Sequence, residues 1–179
     1  SYGLFIPWMA SLALLHGLAV EKRTGALRRT NVRLTSFLYL LVVYGTYLTR
    51  SGVLSDFSVH SFADLGTNIY LVIFMLASVL FTATVVAFRM GKVETKPLNY
   101  NYYGKEFILF SGMVTLFIMT LIVLFWTSLP ILTTYLSDTP RAAERETYNQ
   151  FALPMAIIMS LLLTVTPLSQ WGGFKLENW

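Results

Sequence analysis

Two histidines, one isolated arginine and a short charged run are the side chains in this sequence most able to do chemistry. His16 sits in an apolar stretch, Ala13-Leu14-Leu15-His16-Gly17. An ionisable group in such a setting is costly in lipid and points to a role by default. Three readings stand open for it: a neutral imidazole hydrogen-bonded between helices, a metal or heme ligand, and a proton-transfer group. His60 sits in Asp56-Phe57-Ser58-Val59-His60-Ser61-Phe62. There Val53, Leu54, Phe57, Val59 and Phe62 alternate with small polar residues, as in a surface segment that lies on a membrane and holds something flat and apolar. Heme is such a group, and neutral imidazole is a common iron ligand; a solvated loop histidine is the plain alternative. Arg50, in Arg50-Ser51-Gly52, either snorkels as an interfacial anchor or pairs a carboxylate in bidentate fashion, from a heme propionate, Asp56 or Asp64. Glu144-Arg145-Glu146, followed by Tyr148-Asn149, reads as a solvated helix entry or a docking surface.

Several chemistries lack their residues. Cysteine is absent, which excludes disulfides, thiolate metal sites and a cysteine nucleophile. There is no Ser-His-Asp set, no phosphate-binding glycine loop and no acidic pair within a helix, so a hydrolase or an ion-motive pump has little to stand on. The net charge of +4 does not indicate nucleic-acid binding, because the basic residues fall at helix ends.

The elements that position these residues follow from composition. The chain has 179 residues, 55% of them hydrophobic and only 12% charged, with a mean hydropathy of +0.61. Soluble domains carry about 25% charged residues, so much of this surface must face lipid. In lipid a spanning segment is a helix of about 20 apolar residues. Five runs qualify, at about 4–20, 34–48, 69–88, 107–132 and 152–169. The second is the shortest and needs Asn31 to Thr49, with Arg33 snorkelling, to reach across. Pro7 is expected near the first turn, where its missing N–H costs little. The expectation is an all-α, polytopic transmembrane bundle forming one domain over residues 1–179, itself a piece of a longer protein.

Orientation comes from the loop cations. The first loop holds Lys22, Arg23, Arg28, Arg29 and Arg33, and the third holds Arg89, Lys92, Lys96 and Lys105. The second holds Arg50 alone, and the fourth Arg141 and Arg145 beside Asp138, Glu144 and Glu146. Loops one and three are therefore expected in the cytoplasm, with the N-terminus outward. His16 then falls about 6 Å to the cytoplasmic side of its helix centre, and His60 on the outer face. The two cannot flank one small cofactor. Trp8, Tyr47, Tyr135 and Trp171 fit interfacial belts.

Specific runs carry a resemblance. Phe5-Ile6-Pro7-Trp8-Met9, Leu15-His16-Gly17-Leu18-Ala19-Val20-Glu21-Lys22-Arg23, Gly45-Thr46-Tyr47-Leu48-Thr49-Arg50-Ser51-Gly52-Val53-Leu54 and Ser58-Val59-His60-Ser61-Phe62-Ala63 resemble the F-type heme lyase of bacterial cytochrome c maturation, a CcmF-like heme-handling family. Lys105-Glu106-Phe107, Ser128-Leu129-Pro130 and Tyr148-Asn149-Gln150-Phe151-Ala152-Leu153-Pro154 are similar to its later helices. The resemblance covers nearly all of residues 1–171, and its first half is the more specific. The family's tryptophan-rich loop would lie upstream. By this resemblance His60 ligates the heme in transfer and His16 a permanent, non-covalently held b-type heme in the membrane. The second ligand of that heme is expected three residues past Pro130, where this chain has Thr133, a poor iron ligand. The tail at 172–179 matches nothing in the family.

The resemblance implies cytochrome c-type biogenesis in the bacterial inner membrane, as part of a cytochrome c heme lyase. Heme bound at the outer face would be joined to the CxxCH thiols of apocytochrome c, with Arg50 at a propionate. Its partners would be a heme chaperone, a protein that reduces or presents the apocytochrome, and membrane lipid. Two other classes stay open: a non-catalytic heme conduit or structural membrane subunit, and a permease fragment. A permease should show helices broken near mid-membrane in matched halves, whereas Pro7, Pro130, Pro154 and Pro167 all fall towards helix ends.

Overall fold

The computed structural model describes residues 2–54, 66–136 and 141–172. They form five long helices: α1 (Tyr2–Thr24), α2 (Arg28–Arg50), α3 (Asn68–Arg89), α4 (Lys105–Leu136) and α5 (Arg145–Val165). Short 3-10 turns at Met90–Lys92 and Thr166–Leu168 follow α3 and α5. All five are long and apolar enough to cross a bilayer, and among the described residues there is no strand beyond two isolated bridges. The chain is a multi-pass membrane protein.

The first four helices outrun the apolar stretches that mark them, and α5 starts seven residues early but ends at Val165, where a 3-10 turn around Pro167 takes over; a helix continues into the interface until its backbone groups reach water or a cap. This shifts two prolines inward. The helix α1 begins at Tyr2, so Pro7 lies inside it and not in its first turn. A proline removes the N–H that would bond the carbonyl four residues back, here that of Gly3. That oxygen packs instead against Gly45 of α2, so closely that a Cβ on Gly45 would collide with it. Proline 154 likewise lies within α5, because the helix starts at Arg145 and takes in the charged run.

The first helix is the hub. It runs antiparallel to both α2 and α4 and packs on each, while α3 leans on α2 and α5 on α4. Ile6, Ala10, Leu41 and Val123 form one buried cluster; Ala13, Leu34 and Met113 form a second, deeper along the bundle. Small residues at 10, 13 and 17 let two helices close on α1 at once. The outer helices contribute little to this core: only Ser78 of α3 is buried, and no residue of α5. Their apolar faces remain open.

A tight turn joins α1 to α2. Gly25 (φ 76) and Leu27 (φ 63) both take left-handed backbone, and the strain at Leu27, about 1–2 kcal/mol, is offset by packing its side chain on the second cluster. The strand-like stretch after α3 docks on this turn: Lys96 N–H donates to Gly25 O at 3.0 Å and Arg29 Nε to Val93 O at 2.8 Å. Lys105 N–H donates to Gln170 O at 3.0 Å, and the Arg23 guanidinium sits 5.9 Å over the Trp171 ring. The ends of α1 and α5 and the starts of α2 and α4 thus gather at one end of the bundle, with the cations of the first and third loops. Tyr47, expected in an interfacial belt, is instead buried and stacked on Tyr44 with centroids 6.4 Å apart.

Candidate functional site

His16 lies three residues past the middle of α1, half-buried, on the side that meets α4. Its Nδ1 is 2.8 Å from Leu12 O. A carbonyl only accepts, so Nδ1 carries the proton and donates, which leaves Nε2 with its lone pair. Metal-ligating imidazoles are commonly fixed in this way, the second nitrogen donating to a backbone carbonyl. Across from the ring stands Gly112 of α4. A Cβ there would lie 3.2 Å from His16 Cδ2 and 3.5 Å from Nε2, so the absence of a side chain is what lets α4 pass over the ring edge. A neutral imidazole nitrogen of this kind is a donor that iron takes.

One turn towards the basic end lies a polar knot. Asn31 of α2 is 2% exposed; its Nδ2 donates to Glu21 Oε2 at 2.7 Å. Glu21 Oε1 accepts from Arg28 Nε at 3.1 Å. The amide oxygen of Asn31, Oδ1, has no hydrogen-bond partner among the described residues and presses on Gly17, where any Cβ would collide with it. Gly17 is thus the residue that allows a buried asparagine and a buried helix contact at the same level.

The remaining expected residues are spread out. Arg50 ends α2, where Ser51 N–H caps back to Tyr47 O at 3.0 Å and Gly52 (φ 75) turns the chain, the usual left-handed stop. Gly3 packs beside Gly45 and Thr49, so Arg50 stands near the start of α1, about 20 Å along the bundle from His16. His60, with Asp56 and Asp64, lies outside the described residues. Thr133 is held at the far end of α4, donating to Leu129 O at 2.9 Å and accepting from Arg141 N–H at 3.0 Å. It is 21 residues from Gly112, about 31 Å, so His16 and Thr133 cannot hold one iron. Among the described residues no three His, Asp or Glu side chains gather as a metal cluster.

Known proteins supply the context for this arrangement. The chain is 31% identical over 169 residues to the cytochrome c-type biogenesis protein CcmF of Escherichia coli, covering 94% of this chain and 26% of that protein. It is 27% identical over 168 residues to the CcmF of Pseudomonas fluorescens, covering 93% and 25%. With the cytochrome c-type biogenesis protein ccl1 of Rhodobacter capsulatus it shares 28% over 169 residues, again 93% and 25%. The chain is a CcmF-like member of the cytochrome c-type biogenesis proteins. It spans about a quarter of the length of these relatives. No family model and no solved structure matches it.

Within this CcmF-like chain, sequence reasoning reached His16 but missed its surroundings. Gly112 reads as one more small residue in an apolar helix, and nothing local pairs it with a residue 96 positions earlier. Asn31 was counted only as an extension of a short span. A signal was present: an asparagine in a run that must reach into lipid needs a partner, and Glu21 is the nearest carboxylate in sequence.

Proposed function

We propose that the chain is a heme-handling membrane portion of a bacterial cytochrome c biogenesis protein, located in the inner membrane with the start of α1 outward. The observation that carries this is the His16 ring: one nitrogen is committed to Leu12 O and the other makes no hydrogen bond among the described residues, in a chain whose relatives are named for cytochrome c biogenesis. The outward orientation rests on the positive-inside bias. It puts Arg50 and the segment that leads to His60 on the outer face.

In this reading His16 would hold the iron of a b-type heme within the membrane. His60 would hold the iron of the heme in transfer. Heme supplies two vinyl groups, across which the thiols of the apocytochrome add, sulfur to one carbon and proton to the other. The chain's own contribution is positioning, which removes the entropy cost of an encounter. Arg50 would supply a cation for a propionate. The absence of cysteine agrees with thiols supplied by the substrate. A heme chaperone and a reductant or presenter of the apocytochrome would be the partners.

The test uses the full-length protein. His60→Ala should lower covalent attachment to a reporter cytochrome at least tenfold while unattached heme accumulates; His16→Ala should remove b-type absorption from the purified membrane protein. Wild-type attachment in the His60 variant overturns the site. Downstream heme starvation without accumulation would make the protein a conduit and overturn ligation.

A further inference from the structure

A half-open apolar groove of about 440 Å³ runs between α2 and α4, within the ~300–1,000 Å³ span of small-ligand sites. Phe37 of α2 and Phe110, Met113 and Phe117 of α4 form its walls, and Arg33 and Thr30 stand at its basic end. Phe37 and Phe117 close its deeper end edge to face, with centroids 5.6 Å apart.

The cations around the groove's mouth are not equivalent. Arg28 is committed to Glu21 and Arg29 to Val93 O. Arg33 is exposed and makes no hydrogen bond or ion pair among the described residues. In the first turn of α2 no side chain caps the free N–H groups, and a helix N-terminus favours an anion. An uncommitted guanidinium above a slot lined by rings and aliphatics matches one kind of molecule at a membrane surface: phosphate at one end, hydrocarbon at the other.

We propose that this groove seats an acyl chain of an anionic phospholipid from the leaflet at the basic end, with the lipid phosphate on Arg33. Phosphate accepts the bidentate fork of the guanidinium, and basic sites between transmembrane helices on the positive side take such headgroups. A zwitterionic lipid fills the same slot but brings its own cation to the mouth. The headgroup therefore decides selectivity and the rings decide placement. This inference does not depend on the heme assignment.

The full-length protein in mixed vesicles would be irradiated with phosphatidylglycerol or phosphatidylcholine carrying a diazirine on one acyl chain. Crosslinked peptides would then be mapped. Wild type should label the segment 110–117 with phosphatidylglycerol preferred about fivefold, the weight of one cation near the surface. Arg33→Gln should bring that ratio to about one while chain labelling persists; Arg29→Gln should leave it unchanged. Val114→Trp, which fills the groove, should suppress labelling by both lipids. Equal labelling in wild type, an unchanged ratio in Arg33→Gln, or labelling suppressed by an added isoprenoid quinone or absent from 110–117 would overturn the proposal.

Discussion

Replacing Gly17 with alanine tests the tightest point of the bundle. The new methyl would collide with Asn31 Oδ1 and lie 2.9 Å from Met113 Sδ. The methionine is flexible and can yield. The asparagine is not free to swing, because Nδ2 is held by Glu21 Oε2 at 2.7 Å. Two outcomes compete. Either the clash persists, costing about 1–3 kcal/mol as in other overpacked sites, or Asn31 turns away and gives up a bond to a charged group worth about 1.5–3 kcal/mol. Against both stands the better helix propensity of alanine, about 1 kcal/mol. The net is a destabilisation of up to about 2 kcal/mol. The same change in an Asn31→Ala background meets no obstacle there, so propensity alone remains and the sign reverses, to a gain of up to about 1 kcal/mol. The propensity gain cancels in the cycle, so the coupling between the sites is about 1–3 kcal/mol, as for other residues in contact. Unfolding of the four proteins of this cycle in bicelles measures it. An effect of Gly17→Ala with the same sign and size in both backgrounds would refute the reasoning.

Two more outcomes follow from the same contacts. Gly112→Ala, whose methyl stands 3.2 Å from His16 Cδ2, should change stability by less than about 1 kcal/mol because propensity offsets crowding, whereas Gly112→Leu should cost about 1–3 kcal/mol; equal effects in a thermal melt would mean the ring does not pack there. Arg28→Ala should cost no more than about 1 kcal/mol, since its pair with Glu21 is half-exposed. Glu21→Ala should cost about 2–3 kcal/mol because it strips a buried amide of its acceptor, and matching losses in the same unfolding assay would refute the difference.

The five helices were legible because lipid simplifies the problem: a backbone with no water to bond must bond to itself, so length and apolar content suffice. The clustering of loop cations at one end follows from the same counting, since each crossing carries the chain to the other side and successive loops alternate. Composition likewise settled what the chain lacks, cysteine above all. Helix ends were less legible, since polar residues such as Arg28 to Arg33 and Arg145 to Gln150 continue a helix beyond the apolar run that marks it.

Packing partners were decided only in three dimensions. No periodicity in one helix names the residue across from it, so the meeting of His16 with Gly112, of Gly17 with Asn31, and of the Gly3 carbonyl with Gly45 came from tertiary structure. In lipid every helix face is apolar, and hydrophobicity, which selects the inward face in water, no longer discriminates. Small residues and the few polar ones choose the contacts instead, and their choice depends on which helix arrives opposite. The sequence named the histidine; the arrival of α4 over a glycine set what surrounds it.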